Sequence, residues 1–405
     1  MTAQLASAQL EDPLAPQCAS QTATTRSGFM PMSYALLSTY PPTQCGLATF
    51  SASLLVHLPG PGDGVAVVRV LDEPLPSLAD QVVHNLVNGS AASSATAAAM
   101  LNRFGMVIVQ HEYGIYGGPD GQDVVPLLRA LRVPSIVVLH TVLACPTHRQ
   151  RRILEEIVET ASAVVTMTQT ARSRLLDLYG ASPGKAFVIP HGAADNRVAR
   201  PSGGERGRPR VLTWGLLGPG KGIEHAIDAI GLLRDRGLRV DYQVAGQTHP
   251  RVLARDGEAY RRSLEARARA RGVIDSVHFD ARFLPAEALS RLISGANAVL
   301  LPYDSAEQVT SGVLIEAVTA GRPVVSTGFP HAVELLGSGA GLLVERQDPA
   351  GIANALWRVF AEPGLSARMS GHAAALAPQL LWPAVASAYR ELASALTLTP
   401  AGAAA

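Results

Sequence analysis

The sequence has almost no net charge, few cysteines and no long apolar run, and each shortage removes a class of function. Formal charge over the 405 residues is +1. A protein whose main partner is nucleic acid ordinarily shows a strong basic excess, so no nucleic-acid partner is expected. The three cysteines, Cys18, Cys45 and Cys145, are spaced like neither a zinc site nor a disulfide framework. That usage suits a reducing compartment, with cytoplasm as the default. No apolar run approaches the ~20 residues that span a bilayer. Residues 1–30 carry acids where a secretory signal would carry bases, and read as a disordered leader.

A further absence sits inside a motif. GLLGPGKG, Gly215 to Gly222, is one residue short of a nucleotide-binding P-loop. That loop needs a Ser or Thr after its Gly-Lys to ligate magnesium, and here the position is Gly222. Pro219 also removes an amide donor. A magnesium nucleoside triphosphate is therefore not the expected ligand.

What the chain does have is alternation. Short, near-continuous runs of Val, Ile and Leu predict strands at Ser33 to Leu37, Val65 to Val70, Met106 to Gln110, Ile136 to Leu139, Ala163 to Thr166 and Phe187 to Ile189. Helical stretches such as Ala48 to Leu58 and Ser173 to Tyr179 fall between them. Unbroken apolar runs mark strands buried on both faces of a parallel sheet. RVARPSGGERGRPR, Arg197 to Arg210, interrupts the pattern and reads as a linker. The alternation then resumes: strand at Val211 to Trp214, helix at Ile223 to Asp235, and further strands at Val240 to Ala245, Ala298 to Leu301, Val324 to Ser326 and Gly341 to Val344. The expected fold class is α/β, with two doubly wound Rossmann-like domains facing a central cleft. Their bounds are 31–197 and 211–378, joined by a linker at 198–210, with 379–405 forming a last helix and a disordered tail.

In this frame the glycine turn ends the first strand of the second domain and opens its first helix, where free amides attract anions. Lys221 lies on the same turn, opposed to the helix dipole unless an anion sits between them. A second such place is LPYDSAEQVTSGVLIEAVTAGRP, Leu301 to Pro323. Ser311 can cap the helix that starts there, and Gly312 lets a ligand reach the amides of Gly312 and Val313. Glu316, about one turn further in, can accept hydrogen bonds from vicinal ribose hydroxyls. Phosphate at the helix start and ribose at Glu316 together describe a nucleotide diphosphate.

With STYPPTQCGLATF (Ser38 to Phe50), VQHEYGIYGG (Val109 to Gly118), VVLHT (Val137 to Thr141), IPHG (Ile189 to Gly192) and AVTAGRPVVST, these stretches resemble retaining glycosyltransferases of family 4, which have the GT-B fold. The QHEYGIYGG string is similar to that of PslF-type transferases of polysaccharide biosynthesis. LLWPAVASAYREL, Leu380 to Leu392, resembles the fold's last helix, which crosses back onto the first domain. The resemblance implies a donor diphosphate at Lys221, the donor ribose at Glu316 and the donor sugar hydroxyls at Gln308, where the family's E-x7-E pattern has its first glutamate. It implies that the loop around Gly46 approaches the donor phosphates and that His140 lies near the transferred sugar. His111 and Glu112 could meet an acceptor or donor sugar, or simply hold their loop, and His191 is expected to be structural. Where many relatives place an arginine before the lysine, this chain has Leu216 and Leu217, so Arg251 and Arg282 are candidate extra cations.

The implied reaction moves a hexose, glucose or mannose, from a nucleotide sugar such as GDP-mannose or UDP-glucose to a glycan or lipid-linked acceptor, with retention. The protein's part is to orient both substrates and stabilise the departing diphosphate. No cofactor or metal is expected, since Asp304 stands alone in the donor region and is assigned to ordering its loop. Arginines in HRQRR (His148 to Arg152) and from Arg261 to Arg271 could touch anionic lipid at the inner membrane face. A GT-B epimerase or phosphorylase and a non-catalytic sugar-nucleotide or glycan-binding protein stay open as alternatives. A nicotinamide dehydrogenase is strongly disfavoured, because no G-x-G-x-x-G follows the first strand.

Overall fold

The structure, a computed structural model, describes residues 32–75, 80–197 and 207–398. The expected leader, the greater part of the expected linker and the terminal tail lie outside the described residues. The first lobe contains β1 (Ser33–Ser38), β2 (Gly64–Leu71), β3 (Val82–Val87), β4 (Met106–His111), β5 (Ser135–Leu139), β6 (Ala163–Thr166) and β7 (Ala186–Val188). They form one parallel sheet in the order β3-β2-β1-β4-β5-β6-β7. The second lobe contains β8 (Arg210–Trp214), β9 (Asp241–Ala245), β10 (Val277–Asp280), β11 (Ala298–Leu301), β12 (Val324–Thr327) and β13 (Gly341–Val344), ordered β10-β9-β8-β11-β12-β13 and also parallel.

Successive side chains of a strand point to opposite faces, so an apolar run feeds two cores at once. In β1, Ala35 and Leu37 enter one cluster with Val109, Val137 and Leu154, while Tyr34 and Leu36 enter another with Ile108, Val138 and Phe50. The second sheet is covered in the same way, with Val211 and Val244 on one side and Leu212 and Leu301 on the other. Two sheets, each wrapped in helices on both faces, are the GT-B architecture.

The last helix, Trp382–Leu398, follows residues of the second lobe but packs on the first: Trp382, Val385 and Tyr389 share a cluster with Phe50, Leu54 and Leu58 of the helix Gly46–His57. Arg390 donates to the carbonyls of His57 (3.0 Å) and Leu58 (3.2 Å), partners that this helix end lacks otherwise. The two chain crossings touch, because Ala193 N–H donates to Leu380 O (2.8 Å) and Trp382 N–H to Ala193 O (3.1 Å).

Hydrogen bonds between side chains of one lobe and backbone of the other fix the cleft. Glu334 accepts from Gln169 N (2.8 Å), Thr170 N (2.9 Å) and Thr170 Oγ1 (2.8 Å), a carboxylate at the positive end of the helix Gln169–Tyr179. Glu307 accepts from Ala144 N (2.8 Å) and pairs with Arg174 (3.1 Å), while Thr168 Oγ1 donates to Val309 O (3.1 Å). The loop before Ser311 is thereby pinned to the first lobe.

Candidate functional site

In an open parallel sheet, ligands bind beyond the carboxyl ends of strands where the chain reverses its direction of winding. In the second lobe that point lies between the neighbours β8 and β11, and in the first between β1 and β4. The turn after β8 carries Lys221, and the loop after β11 carries Tyr303, Asp304, Gln308 and Ser311. The loop after β1 leads to Gly46, the one after β4 starts at Glu112, and His140 directly follows β5.

The lysine turn and the β11 loop are built against each other. Asp304 N–H donates to Gly220 O (3.0 Å). Gly222 has φ +65°, and a Cβ there would lie 1.8 Å from Pro302 O, so only glycine allows this approach. The Lys221 ammonium sits 4.3 Å from the centre of the Tyr303 ring, and burial pushes its pKa down. Next to Lys221, Leu217 is buried and its N–H donates to Gln247 O (2.9 Å). Leu217 is therefore part of the core and could not be an arginine aimed at the cleft, while Leu216 before it is half-buried.

Ser311 caps the helix Gly312–Thr319, its Oγ accepting from Leu314 N (3.2 Å). Its own N–H donates to His331 Nδ1 (2.8 Å). The first amides of a helix lack intrahelical acceptors, and among the described residues no acceptor is found for those of Gly312 and Val313. One turn on, Glu316 accepts from Trp214 Nε1 (3.0 Å), and burial pushes its carboxyl up to about 7 against the lowering effect of that bond. Tyr303 lies under Lys221 and within the field of Glu316.

Across the cleft, Phe50 is the hub. The rings of His140 and His191 meet it edge-on at 5.1 and 5.0 Å, and Trp382 does so at 5.0 Å. His140 hydrogen-bonds to the side chain of the buried Gln110 (2.7 Å), and burial, with His191 and His111 nearby, pushes it down to about 3. His191 bonds Gly192 O through Nδ1 (2.7 Å), and burial lowers it to about 4. Its Nε2 stands 2.9 Å from where a Gly312 Cβ would be, which places a neutral imidazole of the first lobe over the helix start of the second. His191 thus sits at the seam between the lobes, packed edge-on against Phe50 and over Gly312.

The other predicted residues have different surroundings. His111 is fully buried with neither ring nitrogen bonded, its pKa pushed down to about 4, so it presents nothing to a sugar. Glu112 accepts from Thr141 Oγ1 (2.5 Å) and Tyr113 N (3.0 Å); burial raises its pKa, and its carboxylate ties its own loop to the one that follows β5. Gln308 turns back to donate to Thr310 O (3.0 Å), and the charge one residue earlier, Glu307, is used between the lobes. Gly46 is exposed and nothing lies within 4 Å of a Cβ placed on it, so only a ligand, not the fold, could require glycine there. Arg251 reaches across to donate to Gly114 O, and Arg282 is bound to Asp280 (2.7 Å). Asp304 is not alone: Glu224, His225 and Asp304 each offer a ligand atom within 4.8 Å of the others, a mixed carboxylate and imidazole set able to take a divalent cation. Among the arginines assigned to lipid, Arg261 is buried, while Arg267 and Arg271 converge on Asp228. No helix among the described residues is long and apolar enough to cross a membrane.

Two winding-reversal points facing one cleft, with a lysine turn beside a free helix start, define the GT-B class. The fold is shared with the Anabaena protein HepE, crystallised with UDP: TM-score 0.73 at 18% identity, covering 90% of this chain and all (100%) of that one. Residues 208–362 match the family model described as glycosyl transferases group 1. A D-inositol 3-phosphate glycosyltransferase of Corynebacterium jeikeium is 30% identical over 302 residues, 68% of this chain and 70% of that protein. The chain belongs to the group 1 glycosyltransferase family. A protein of the same name from Acidothermus cellulolyticus is 32% identical over 246 residues, 57% of this chain, and the match spans only 53% of the relative's own length.

Proposed function

We propose that the chain transfers a hexosyl group from a nucleotide-diphosphate sugar to a hydroxyl acceptor with retention of configuration, as in family 4 and its PslF-type subgroup. The observation that carries this reading is the contact between the Lys221 turn and the loop leading to Ser311. It puts an ammonium and a free helix start on one side of the cleft, with Glu316 a turn deeper. A diphosphate bridging the first two would leave its ribose hydroxyls at Glu316, whose carboxyl near neutrality can accept from them. That HepE is known with UDP-glucose supports the same class of donor.

The chemistry needed is stabilisation of charge on a departing diphosphate. Lys221 and the amides of Gly312 and Val313 are preorganised for it, so no reorganisation is required as the bond breaks. The transferred sugar would lie toward His140, kept neutral by burial and oriented by Gln110. We assign the product to polysaccharide or glycolipid synthesis, with a glycan or lipid-linked acceptor, in the cytoplasm or at the inner membrane face.

A panel of nucleotide sugars tests the donor. A ligand present at 100 times its Kd should stabilise the fold by about 2.7 kcal/mol. Labelled sugar from the stabilising donor should then appear on an acceptor, and the acceptor set should include D-inositol 3-phosphate, for which relatives are named. Isomerised donor, or cleavage that requires phosphate, would show one of the other GT-B chemistries instead. Binding without transfer or slow hydrolysis would show a non-catalytic protein.

A further inference from the structure

His331 lies on the helix Pro330–Leu336, and its function is not evident from a sequence in which it follows Phe-Pro. In the structure it is 3% exposed and grips both ends of one short loop segment. Its backbone N–H donates to Gln308 O (3.4 Å), and its ring Nδ1 meets Ser311 N (2.8 Å). An amide N–H can only donate, so Nδ1 accepts and the ring proton of neutral His331 is on Nε2. Burial, with His191 close by, pushes its pKa down to about 3, and the ring stays neutral throughout the working range.

This contact decides which amides the helix Gly312–Thr319 has to offer. Ser311 N–H is consumed by His331 and Leu314 N–H by Ser311 Oγ, which leaves Gly312 and Val313 as donors at the cleft. A helix start aims its free amides along its axis, so a tilt of the capping residue re-aims both. Ser311 Oγ cannot prevent that tilt alone, because it moves with the residue.

Resting on the donor-binding reading above, we propose that His331 is a positioning residue: its imidazole fixes the Ser311 peptide, and through it the direction in which the Gly312 and Val313 amides meet the donor diphosphate. It touches no substrate atom. A residue acting this way requires only an acceptor at the position of Nδ1.

Asparagine and leucine are nearly the same size, and only Asn offers an oxygen there, so His331→Asn and His331→Leu separate acceptor from packing. Kd for UDP and the KM and kcat for transfer are measured on both, with Tm as a check on folding. His331→Leu should weaken UDP binding about tenfold and raise the donor KM similarly, the scale of one lost hydrogen bond. His331→Asn should recover to within about threefold of wild type. Equal UDP affinity in the two variants overturns the proposal. If the leucine variant does not fold, nitrogen NMR of the wild type decides: an Nε2–H tautomer supports the assignment, and an Nδ1–H tautomer removes the acceptor and the proposal with it. Wild-type protein that neither binds nor uses any nucleotide sugar would instead sink the donor reading, which is a distinguishable failure.

Discussion

Replacing Lys221 with alanine probes the charge on which transfer depends. The ammonium rests 4.3 Å from the Tyr303 ring centre. A partly desolvated cation over an aromatic face gains on the order of 1–2 kcal/mol, which offsets part of its burial. Its depressed pKa shows that burial still dominates. The lysine is therefore a group the fold tolerates rather than one that stabilises it, and Lys221→Ala should leave Tm unchanged or slightly higher. Turnover should behave in the opposite way. Losing one preorganised donor to a developing oxyanion costs roughly 3–4 kcal/mol, or about a hundredfold to a thousandfold in kcat, while the remaining amides keep the rise in donor KM to about tenfold. Transfer of labelled sugar under saturating donor and acceptor reads both. The pH profile adds a signature: kcat/KM, which reports the free enzyme, should fall on an alkaline limb below 10.5. In the kcat profile that limb should move up, because a bound diphosphate favours the charged lysine. A folded Lys221→Ala protein with kcat within about threefold of wild type would refute the reasoning.

Glu316→Gln should separate stability from function. The carboxyl is raised from 4.5 to about 7 by burial, so between those values the folded state binds more protons than the unfolded chain, and stability falls as pH rises through that window. Gln keeps an oxygen for Trp214, so the variant should gain ~3 kcal/mol at pH 8, nothing at pH 4, and lose about tenfold in UDP affinity; chemical denaturation at both pH values and calorimetry check this. Gly222→Ala forces a Cβ to 1.8 Å from Pro302 O at a positive φ and should cost more than ~3 kcal/mol by denaturant melts. Glu307→Ala leaves Ala144 N and Arg174 without their carboxylate, and should raise the donor KM severalfold by loosening the loop between Gln308 and Ser311, with small-angle scattering expected to show a wider distribution of lobe separations.

Most strands and the doubly wound class were readable because parallel strands buried on both faces need unbroken apolar runs. Val107 to Val109 and Val137 to Leu139 are such runs. The two strands missed, β3 (VVHNLV) and β10 (VHFD), are sheet edges, where His84, Asn85 and His278 interrupt the run. At the site, Lys221 and Ser311 could be placed because turn chemistry is local. What was hidden depends on tertiary contact. His191 is brought over Gly312 only by the packing of the lobes, Trp214 reaches Glu316 across 102 positions, and Ser311 N–H reaches His331 across 20. The sequence itself has Gln308 where the family's pattern has its first acid. Glu307, one residue earlier, has its charge drawn to Arg174 on the other lobe, a choice that spacing alone does not encode.

The most direct test of the account is a crystal structure with UDP bound. It should show the β-phosphate within about 2.7–3.2 Å of Lys221 Nζ and of the Gly312 and Val313 amides, with the ribose hydroxyls on Glu316. A pyrophosphate bound elsewhere, with Lys221 still lying on Tyr303 and those amides in water, would contradict it.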